Sequence, residues 1–475
     1  MANRRRRQRG AMLIAFSILL ILVLGFIGLA LDVGQVIGRK TELQNLADNA
    51  ALAAAAELVG TPEGLAAAVD KAKHSASDKS AWRRRMQGAV LSDASIRFAS
   101  ASDAPASAWY AAGSVPDPAT ALFVRVDTQA NAPSLGRVTT AFLGAWSPAL
   151  RTLDTGARAV AGRTSLQLMP LAVCALSASA ASPRTNAALL PAVELLEYGF
   201  RRGVAYNLLK LNPNGPSAEH FVLNPLGQPG VVGPSQQVDE SSVLPFVCSG
   251  SVLYSRIGSA QVHVHRPFPA TLWPAFNARF NQHAGSGCHA VTAPPDTNIR
   301  SYPNTAVNWW MTNTPDAPSA LSTGNPLLSV ADPVSNATPP AVGSYGPLWS
   351  FAKAVKYSSV KPAGGYVPFA TSDWPKLYPA SPAAPAAKSG YPSTPPYQTL
   401  AYQTAPTGNT GVAQRRLLHI PLLACPVPAG SDVLAQVRGI GRFFMTAPAS
   451  NGMLSAEFDG LVDEGTLVGP AELLQ

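Results

Sequence analysis

The sequence predicts an α+β protein in which a single N-terminal transmembrane helix continues into a long Ala-rich stalk helix, followed by a β-rich exported part with long Pro-rich loops. Three observations predict this fold class. Residues 10–31 form an apolar run without any ionisable side chain. Residues 32–60 keep an alanine-rich, helical composition and meet no proline before Pro62. Beyond them, short segments alternate apolar and polar residues, which is the pattern of half-buried strands.

The apolar run has the length of a membrane span. An α-helix rises about 1.5 Å per residue, so roughly 20 apolar residues cross a hydrocarbon core of about 30 Å. The first charge after the run is Asp32, whereas five basic residues precede it: Arg4, Arg5, Arg6, Arg7 and Arg9. Because basic flanks stay in the cytoplasm, we expect residues 1–9 to be a cytoplasmic tail and the chain after the span to be exported.

Two alternatives to permanent anchoring concern processing. A cleaved secretory signal has an apolar region of about 7–15 residues followed by a small-residue cleavage site, and this run is longer. A prepilin leader is a short basic segment that ends in Gly, and RRQRG before AMLIAF has that outline. However, Ala15 stands where pilins carry an acid five residues after the cut. Permanent anchoring is favoured, and cleavage at Gly10 stays open.

The stalk helix, residues 32–60, has a face of small and apolar side chains. Val36 lies close to that face, as do four residues that we treat as a candidate stalk interface: Leu43, Leu46, Ala50 and Ala53. Alanine-rich faces allow close approach of backbones, so the stalk could pack on a partner helix. Packing against the chain's own domain is an equally good interpretation.

The N-terminal segment resembles a known family. The arginine-rich tail, the QRGAM entry to the apolar run and the exit GLALDVGQVIGRKTELQNLADNAALAAAAEL resemble the TadE/TadG-like, TadG-related proteins of Flp (Tad) pilus assembly. The LDVG exit followed by LQNLADNAALAAA is the specific part of the resemblance. It covers about the first 60 residues. The resemblance implies a location in the bacterial inner membrane and partners among pilus subunits and assembly proteins.

The exported chain divides by composition into two parts. Residues 61–165 predict a small α+β domain with a helix from Thr61 to about Lys79, strands in SIRFA, ALFVRVDTQA and TLDTGARAVAGR, and a short helix in VTTAFLGAW. Residues 166–475 predict a β-rich distal domain with Pro-rich loops at about 293–410, where NWWM and LWSFAKAVKY are expected to anchor the loops to the domain. RRLLHIPLLAC, VLAQVRGIGRFFMTA and LSAEFDGLVDE predict three consecutive antiparallel strands.

Four cysteines lie in the exported part: Cys174, Cys248, Cys288 and Cys425. An even number in an oxidising compartment indicates two disulfides, and four cysteines allow three connectivities. The segments MPLAVC, LPFVC and IPLLAC look like strands that end at a disulfide. We favour Cys174 with Cys425 and Cys248 with Cys288.

Composition and motifs argue against several functions. The net charge is +9, but the N-terminal tail alone supplies five positive charges, so the charge indicates no nucleic-acid function. There is no GxxxxGK[ST] phosphate loop, no GxGxxG motif after a strand, no GxSxG elbow and no HExxH helix. CSGS around Cys248 could suggest a thiol nucleophile, but no histidine is tied to it. We predict no catalytic residues, no cofactor and no evident small-molecule substrate.

The best candidate for chemistry is the pair His263 and His265 in QVHVH. Residues two apart on a strand face the same side, so this pair could hold a metal ion with a third ligand from His283 or His289. No acid accompanies the pair in sequence, and surface or core histidines are the favoured interpretation. A structural or assembly component is therefore preferred over two rivals: a membrane-anchored periplasmic enzyme, and an envelope-binding module that uses Trp309, Trp310 and Trp374.

Overall fold

The computed structural model confirms the α+β class, with a long apolar N-terminal helix before a β-rich remainder. It describes residues 8–77, 91–130, 135–185, 191–302 without 216, 228, 230–238, 255, 258 and 259, 347–378, and 394–474 without 451. The expected NWWM anchor and the tryptophans Trp309 and Trp310 lie outside the described residues.

The helices and strands, in chain order, are α1 (Gln8–Ala55), α2 (Pro62–Ser77), β1 (Ile96–Ala99), β2 (Phe123–Asp127), β3 (Arg137–Thr139), α3 (Phe142–Trp146), β4 (Thr152–Asp154), β5 (Arg158–Arg163), β6 (Leu171–Cys174), β7 (Ser182–Arg184), β8 (Glu194–Glu197), β9 (Phe200–Arg201), β10 (Ala205–Asn207), β11 (His220–Leu223), α4 (Glu240–Ser249), β12 (Gln261–His265), α5 (Trp273–Phe276), α6 (Trp374–Leu377), β13 (Leu417–Leu423), β14 (Asp432–Met445), β15 (Ser455–Val462) and β16 (Ala471–Leu474). Short 3₁₀ turns connect several of them.

The chain forms two compact units, residues 1–164 with 469–475 (unit 1) and residues 165–468 (unit 2). Unit 1 contains an antiparallel sheet in the order β1-β2-β5-β16 and a two-stranded ribbon of β3 and β4. The last strand, β16, pairs with β5 over Ala471–Leu474. That pairing joins segments about 300 residues apart in sequence, and no local pattern predicts it.

The stalk packs against its own unit, which is one of the two interpretations that the sequence left open for the candidate stalk interface. Leu43, Leu46 and Ala50 are completely buried in a core with α2, β2 and β5, and Ala53 is half-buried. Alanines on the same face lie close to the sheet because their side chains are small, so α1 fits where larger residues would not. The chain's own unit covers these positions, and a role of the stalk in partner contacts stays a prediction.

In unit 2, strand pairing closes into a ring. Residues 432–436 of β14 pair with β12, and residues 437–444 of the same strand pair with β13. The pairs β12–β11, β11–β6 and β6–β13 complete a circuit of five strands, of which only β6 and β13 run parallel among these pairs. β15 and β10 extend the sheet from the second half of β14. The three consecutive antiparallel strands predicted near the C-terminus are confirmed as β13, β14 and β15.

Strands of the ring bury side chains on both faces. On β6, Leu171 and Val173 belong to one hydrophobic cluster, while Ala172 and Cys174 belong to another. Alternate residues of a strand point to opposite faces, so a strand between two cores must be apolar throughout. This explains the uninterrupted apolar run in MPLAVC.

The structure pairs the cysteines as Cys174–Cys425 and Cys248–Cys288, which is the favoured connectivity. The strand prediction for LPFVC is wrong, because this segment lies in α4. The side chain of Asp239 accepts a hydrogen bond from the Ser242 N–H at the start of α4, and Gly250 ends the helix with φ = 77°. A short apolar run does not distinguish a buried strand from a buried helix, and here the two helix caps decide.

The described parts of the Pro-rich stretch contribute to the core of unit 2. Trp349 and Trp374 are buried and meet edge to face with ring centroids 5.1 Å apart. The buried guanidinium of Arg416 lies 4.4 Å from the ring centroids of Phe280 and Phe444 and donates to the backbone oxygen of Asn298. LWSF is therefore an anchor, as expected. Trp374 is buried in this core and is not exposed to an envelope ligand, which counts against the rival envelope-binding interpretation at this residue.

Candidate functional site

The feature of unit 1 that bears most on function lies where the apolar run ends, at Asp32. Its side chain is almost completely buried although the surrounding helix surface is exposed. Asp32 Oδ1 accepts a hydrogen bond from the Ala141 N–H at 3.1 Å, and Oδ2 accepts from the N–H groups of Phe142 and Leu143 at 2.9 and 2.6 Å. Because the first N–H groups of a helix have no partner within it, Asp32 serves as the cap of α3 from 109 residues away.

The ribbon of β3 and β4 carries α3 to this position. The chain leaves β3 at Thr139, forms α3 and a 3₁₀ turn, and returns along β4 from Thr152. The backbone N–H of Thr140 donates to the Arg151 oxygen and closes the base of the loop. Phe142 lies against Gly28, since a Cβ at that glycine would overlap the phenyl ring. The loop is thus attached to α1 at two points one helical turn apart.

The two halves of α1 have opposite surroundings. The large apolar side chains from Met12 to Leu31 are exposed, and only Gly28 is buried in that run, whereas most apolar side chains from Leu43 to Ala55 lie in the core of unit 1. Of the helices that the structure describes, α1 is long and apolar enough to cross a membrane, judged by length and composition. An exposed helix surface that is apolar all round is unfavourable in water, where each buried CH₂ is worth about 0.8 kcal/mol.

The basic residues that set the predicted orientation are not described in the same detail. Arg4, Arg5, Arg6 and Arg7 lie outside the described residues, and Arg9 is described only as part of the helical backbone. The orientation therefore continues to depend on the sequence pattern.

The candidate metal pair lies on β12, and the structure adds an acid that the sequence did not indicate. Asp432 is the cross-strand partner of His265 on β14. Its Oδ1 lies 3.6 Å from His265 Nε2 and 3.8 Å from His263 Nδ1. His283, a predicted third ligand, makes a different contact: its Nε2 lies 3.1 Å from the backbone oxygen of Ala293.

These residues do not assemble a metal shell. In the described part of the chain, the one group of three potential ligands within 4.8 Å of one another is Cys174, Glu219 and Cys425. Its two cysteines form a disulfide and cannot act as thiolate ligands. The two histidines instead lie near the same carboxylate oxygen of Asp432, at distances too long for hydrogen bonds. Cys248 is likewise disulfide-bonded, which removes it as a nucleophile.

Unit 2 contains a second carboxylate that holds a distant turn. Buried Glu457 accepts the N–H groups of Ser350, Phe351 and Ala352 at 2.6, 2.9 and 2.7 Å. Burial raises the pKa of Glu457 to about 7, and the nearby carboxylate of Asp459 adds to the increase. Glu457 is fully enclosed, so its role is to fix the segment after residue 347 rather than to meet a ligand.

Unit 2 also contains a buried network of one glutamate and two arginines. Glu194 accepts from Arg184 at 3.0 Å and from Arg201 at 2.8 Å, with all three side chains buried. Such an enclosed network is typical of a structural role, because burying a charge without a partner is costly. Glu194, Arg184 and Arg201 are therefore used within the core of unit 2.

These features define a class of protein: an α+β chain built on one long helix, with an exposed apolar half of membrane-spanning length and a second half embedded in a small domain. The model of the Flp pilus-assembly TadE/G-like family matches residues 10–57, which is almost the extent of α1. The match confirms the predicted resemblance, and it suggests a role in Flp pilus assembly. No curated protein and no solved structure matches the chain significantly.

Sequence reasoning found the family segment and the helix, but it missed the role of Asp32 beyond its charge. The LDVG string placed an acid directly after the apolar run, and VTTAFLGAW indicated a short helix, but only the structure shows that this helix begins after Ala141 with no cap from its own side chain.

Proposed function

We propose that this chain is a membrane-anchored structural or assembly component of a Tad (Flp) type pilus or a related secretion system. Residues 10–31 anchor it as a single span in the bacterial inner membrane, the N-terminus lies in the cytoplasm, and the bulk of the chain is periplasmic or extracytoplasmic. The family match to residues 10–57 supports the role in pilus assembly. The change from exposed apolar surface to domain core along α1 supports the anchor.

The structure suggests how the anchor is joined to the exported chain. Because α1 is continuous from Gln8 to Ala55, no loop separates the span from the core of unit 1. A rigid connection of this kind transmits the position of the membrane directly to the domain, unlike a flexible linker. The proposed partners are pilus subunits and assembly proteins, and the proposed activity is non-enzymatic.

Co-purification and fibre counting test the role. The full-length chain with a C-terminal affinity tag is extracted from native membranes and compared with an unrelated tagged single-span protein of the same membrane. We expect Tad pilus subunits or assembly proteins to be enriched with this chain alone, and surface fibres to be lost when its gene is deleted and restored by complementation. Normal fibres in the deletion strain, together with no enrichment, would overturn the proposal.

Intact-mass measurement of the extracted protein decides between the two forms of the anchor. A full-length mass supports a permanent tether in the membrane. A mass that lacks residues 1–10 supports a processed, pilin-like subunit that can leave the membrane and enter a fibre. Either mass is compatible with an assembly role.

A further inference from the structure

The surface around α3 combines exposed aromatic and aliphatic side chains in an unusual way. Trp146 is 91% exposed, and Phe142 and Leu150 are 49% and 38% exposed. Phe142 and Trp146 are four residues apart on one helix, so they lie on the same face. A tryptophan that exposed is costly in water, because its large apolar surface stays hydrated.

The depth of this surface relative to the proposed span follows from two contacts within unit 1. The Phe142 ring rests on Gly28, which belongs to the apolar run, and the backbone of α3 is bound to Asp32 at the end of that run. α3 therefore lies beside the last turn of the segment that crosses the membrane. If residues 10–31 span the bilayer, the part of α1 near Asp32 is surrounded by the boundary between lipid headgroups and acyl chains.

The sequence of the loop has the composition of an interfacial segment. Between Arg137 and Arg151 there is no ionisable side chain, and the two arginines flank VTTAFLGAWSPAL on either side. Tryptophan is enriched at the membrane–water interface, where its ring is buried and its indole N–H meets polar groups. Arginine side chains at the ends of such a segment can extend towards lipid phosphates.

We infer that residues 140–151 form a second membrane contact, in which α3 lies in the interface of the leaflet from which α1 emerges and Trp146 is its anchor. This inference rests on the proposed function, because it requires that residues 10–31 span the bilayer. The contact fixes the depth and rotation of α1. It also satisfies the Asp32 carboxylate at the point where the chain leaves the membrane, since α3 supplies three N–H donors there.

Quenching of tryptophan fluorescence by brominated lipids tests the contact. The purified full-length chain is reconstituted in vesicles whose lipids carry bromine either near the headgroup end or near the methyl end of the acyl chain. The emission of Trp146 is obtained by subtracting the fluorescence of the Trp146→Phe variant from that of the wild type. We expect this difference to be quenched strongly by shallow bromine and weakly by deep bromine.

Two further variants in the Trp146→Phe background provide the controls. Val59→Trp places a tryptophan at an exposed position beyond the end of α1. That end lies about 35 Å along the helix from Asp32, so this tryptophan should not be quenched. Ile21→Trp places one in the middle of the exposed apolar run, and it should be quenched by deep bromine.

The outcomes separate the inference from the proposal on which it rests. Quenching at Ile21→Trp with no quenching at Trp146 would overturn the second membrane contact and leave the anchor intact. No quenching at either position would overturn the anchor and the contact together. Because the vesicles contain no other protein, shallow quenching at Trp146 shows contact with lipid rather than cover by a protein partner.

Discussion

The Phe142 N–H donates to Asp32 Oδ2 at 2.9 Å, which ties the loop between β3 and β4 to the residue where the apolar run of α1 ends. Glu457 does the same in unit 2, where it binds the N–H groups of residues 350–352. In both units a buried carboxylate accepts three consecutive N–H groups from a segment more than 100 residues away. At Asp32 a carboxylate suits this position because a bond from a backbone N–H to a charged acceptor is stronger than one to a neutral acceptor.

Replacing the acid at the end of the run should release the loop. We expect Asp32→Ala to destabilise unit 1 by about 1–3 kcal/mol, because three backbone donors at the start of α3 lose their acceptor. Hydrogen exchange of the amides of Ala141, Phe142 and Leu143 is the measurement, and protection should fall at all three. Asp103→Ala, at an exposed acid of the same unit, is the matched control and should leave their protection unchanged.

Two glycines in the apolar run provide a matched pair for the second contact of the loop. A Cβ at Gly28 would overlap the Phe142 ring, whereas no heavy atom lies within 4 Å of the corresponding position at Gly25. Gly28→Leu should therefore displace α3 and increase hydrogen exchange over residues 140–151, and Gly25→Leu should not. Equal exchange in the two variants would show that Phe142 does not depend on the space at Gly28.

Substitutions on the stalk distinguish a domain core from a partner interface. Ala50 is completely buried, so Ala50→Leu should overpack the core of unit 1 and lower its free energy of unfolding by about 1–3 kcal/mol. Asn45→Leu, on the exposed side of the same helix, should change it by less than about 0.5 kcal/mol. Urea denaturation measures both. If Ala50→Leu leaves stability unchanged but blocks assembly, the stalk serves a partner instead.

The buried carboxylate of Glu457 predicts a pH dependence of stability. Its pKa is raised to about 7 in the folded state, against 4.5 for the group in the absence of such burial. The folded state thus holds a proton that the unfolded state has lost, so this contribution is complete below pH 4.5 and disappears as the pH rises through 7.

Glu457→Gln isolates that contribution, because the other titrating groups are common to both proteins. Between pH 4.5 and 7 the free energy of unfolding of the wild type should fall relative to that of the variant, by on the order of 3 kcal/mol. Denaturation curves across this range provide the comparison. Parallel pH profiles for the two proteins would mean that Glu457 is ionised throughout and is stabilised by its three N–H partners.

Local patterns predicted much of the fold. The apolar run and the Ala-rich segment predicted α1 to within a few residues, and the alternating segments predicted β1, β2, β5 and the three strands β13, β14 and β15. Helical rhythm after Pro62 likewise predicted α2. These predictions are correct because the periodicity of burial in a helix or strand appears directly in consecutive residues.

Most of the features that the sequence missed depend on contacts between residues distant along the chain. The pairing of β16 with β5, the position of Asp432 beside His265 and the cap of α3 by Asp32 each join residues more than 100 positions apart. The stalk face at Leu43 and Leu46 was identified correctly as apolar, but its occupant was undecided because the sequence does not say which surface covers it. LPFVC was misassigned because helix caps outside the run determine its conformation.

The most direct measurement of the central claim is protease treatment of intact spheroplasts, followed by alkaline carbonate extraction of the membranes. The account predicts that the full-length chain stays in the carbonate-washed pellet and that external protease removes its C-terminal bulk, leaving a fragment that carries the N-terminal helix. Recovery of the chain in the carbonate supernatant would contradict the anchor. Retention in the pellet with the bulk protected until the cells are lysed would contradict the orientation.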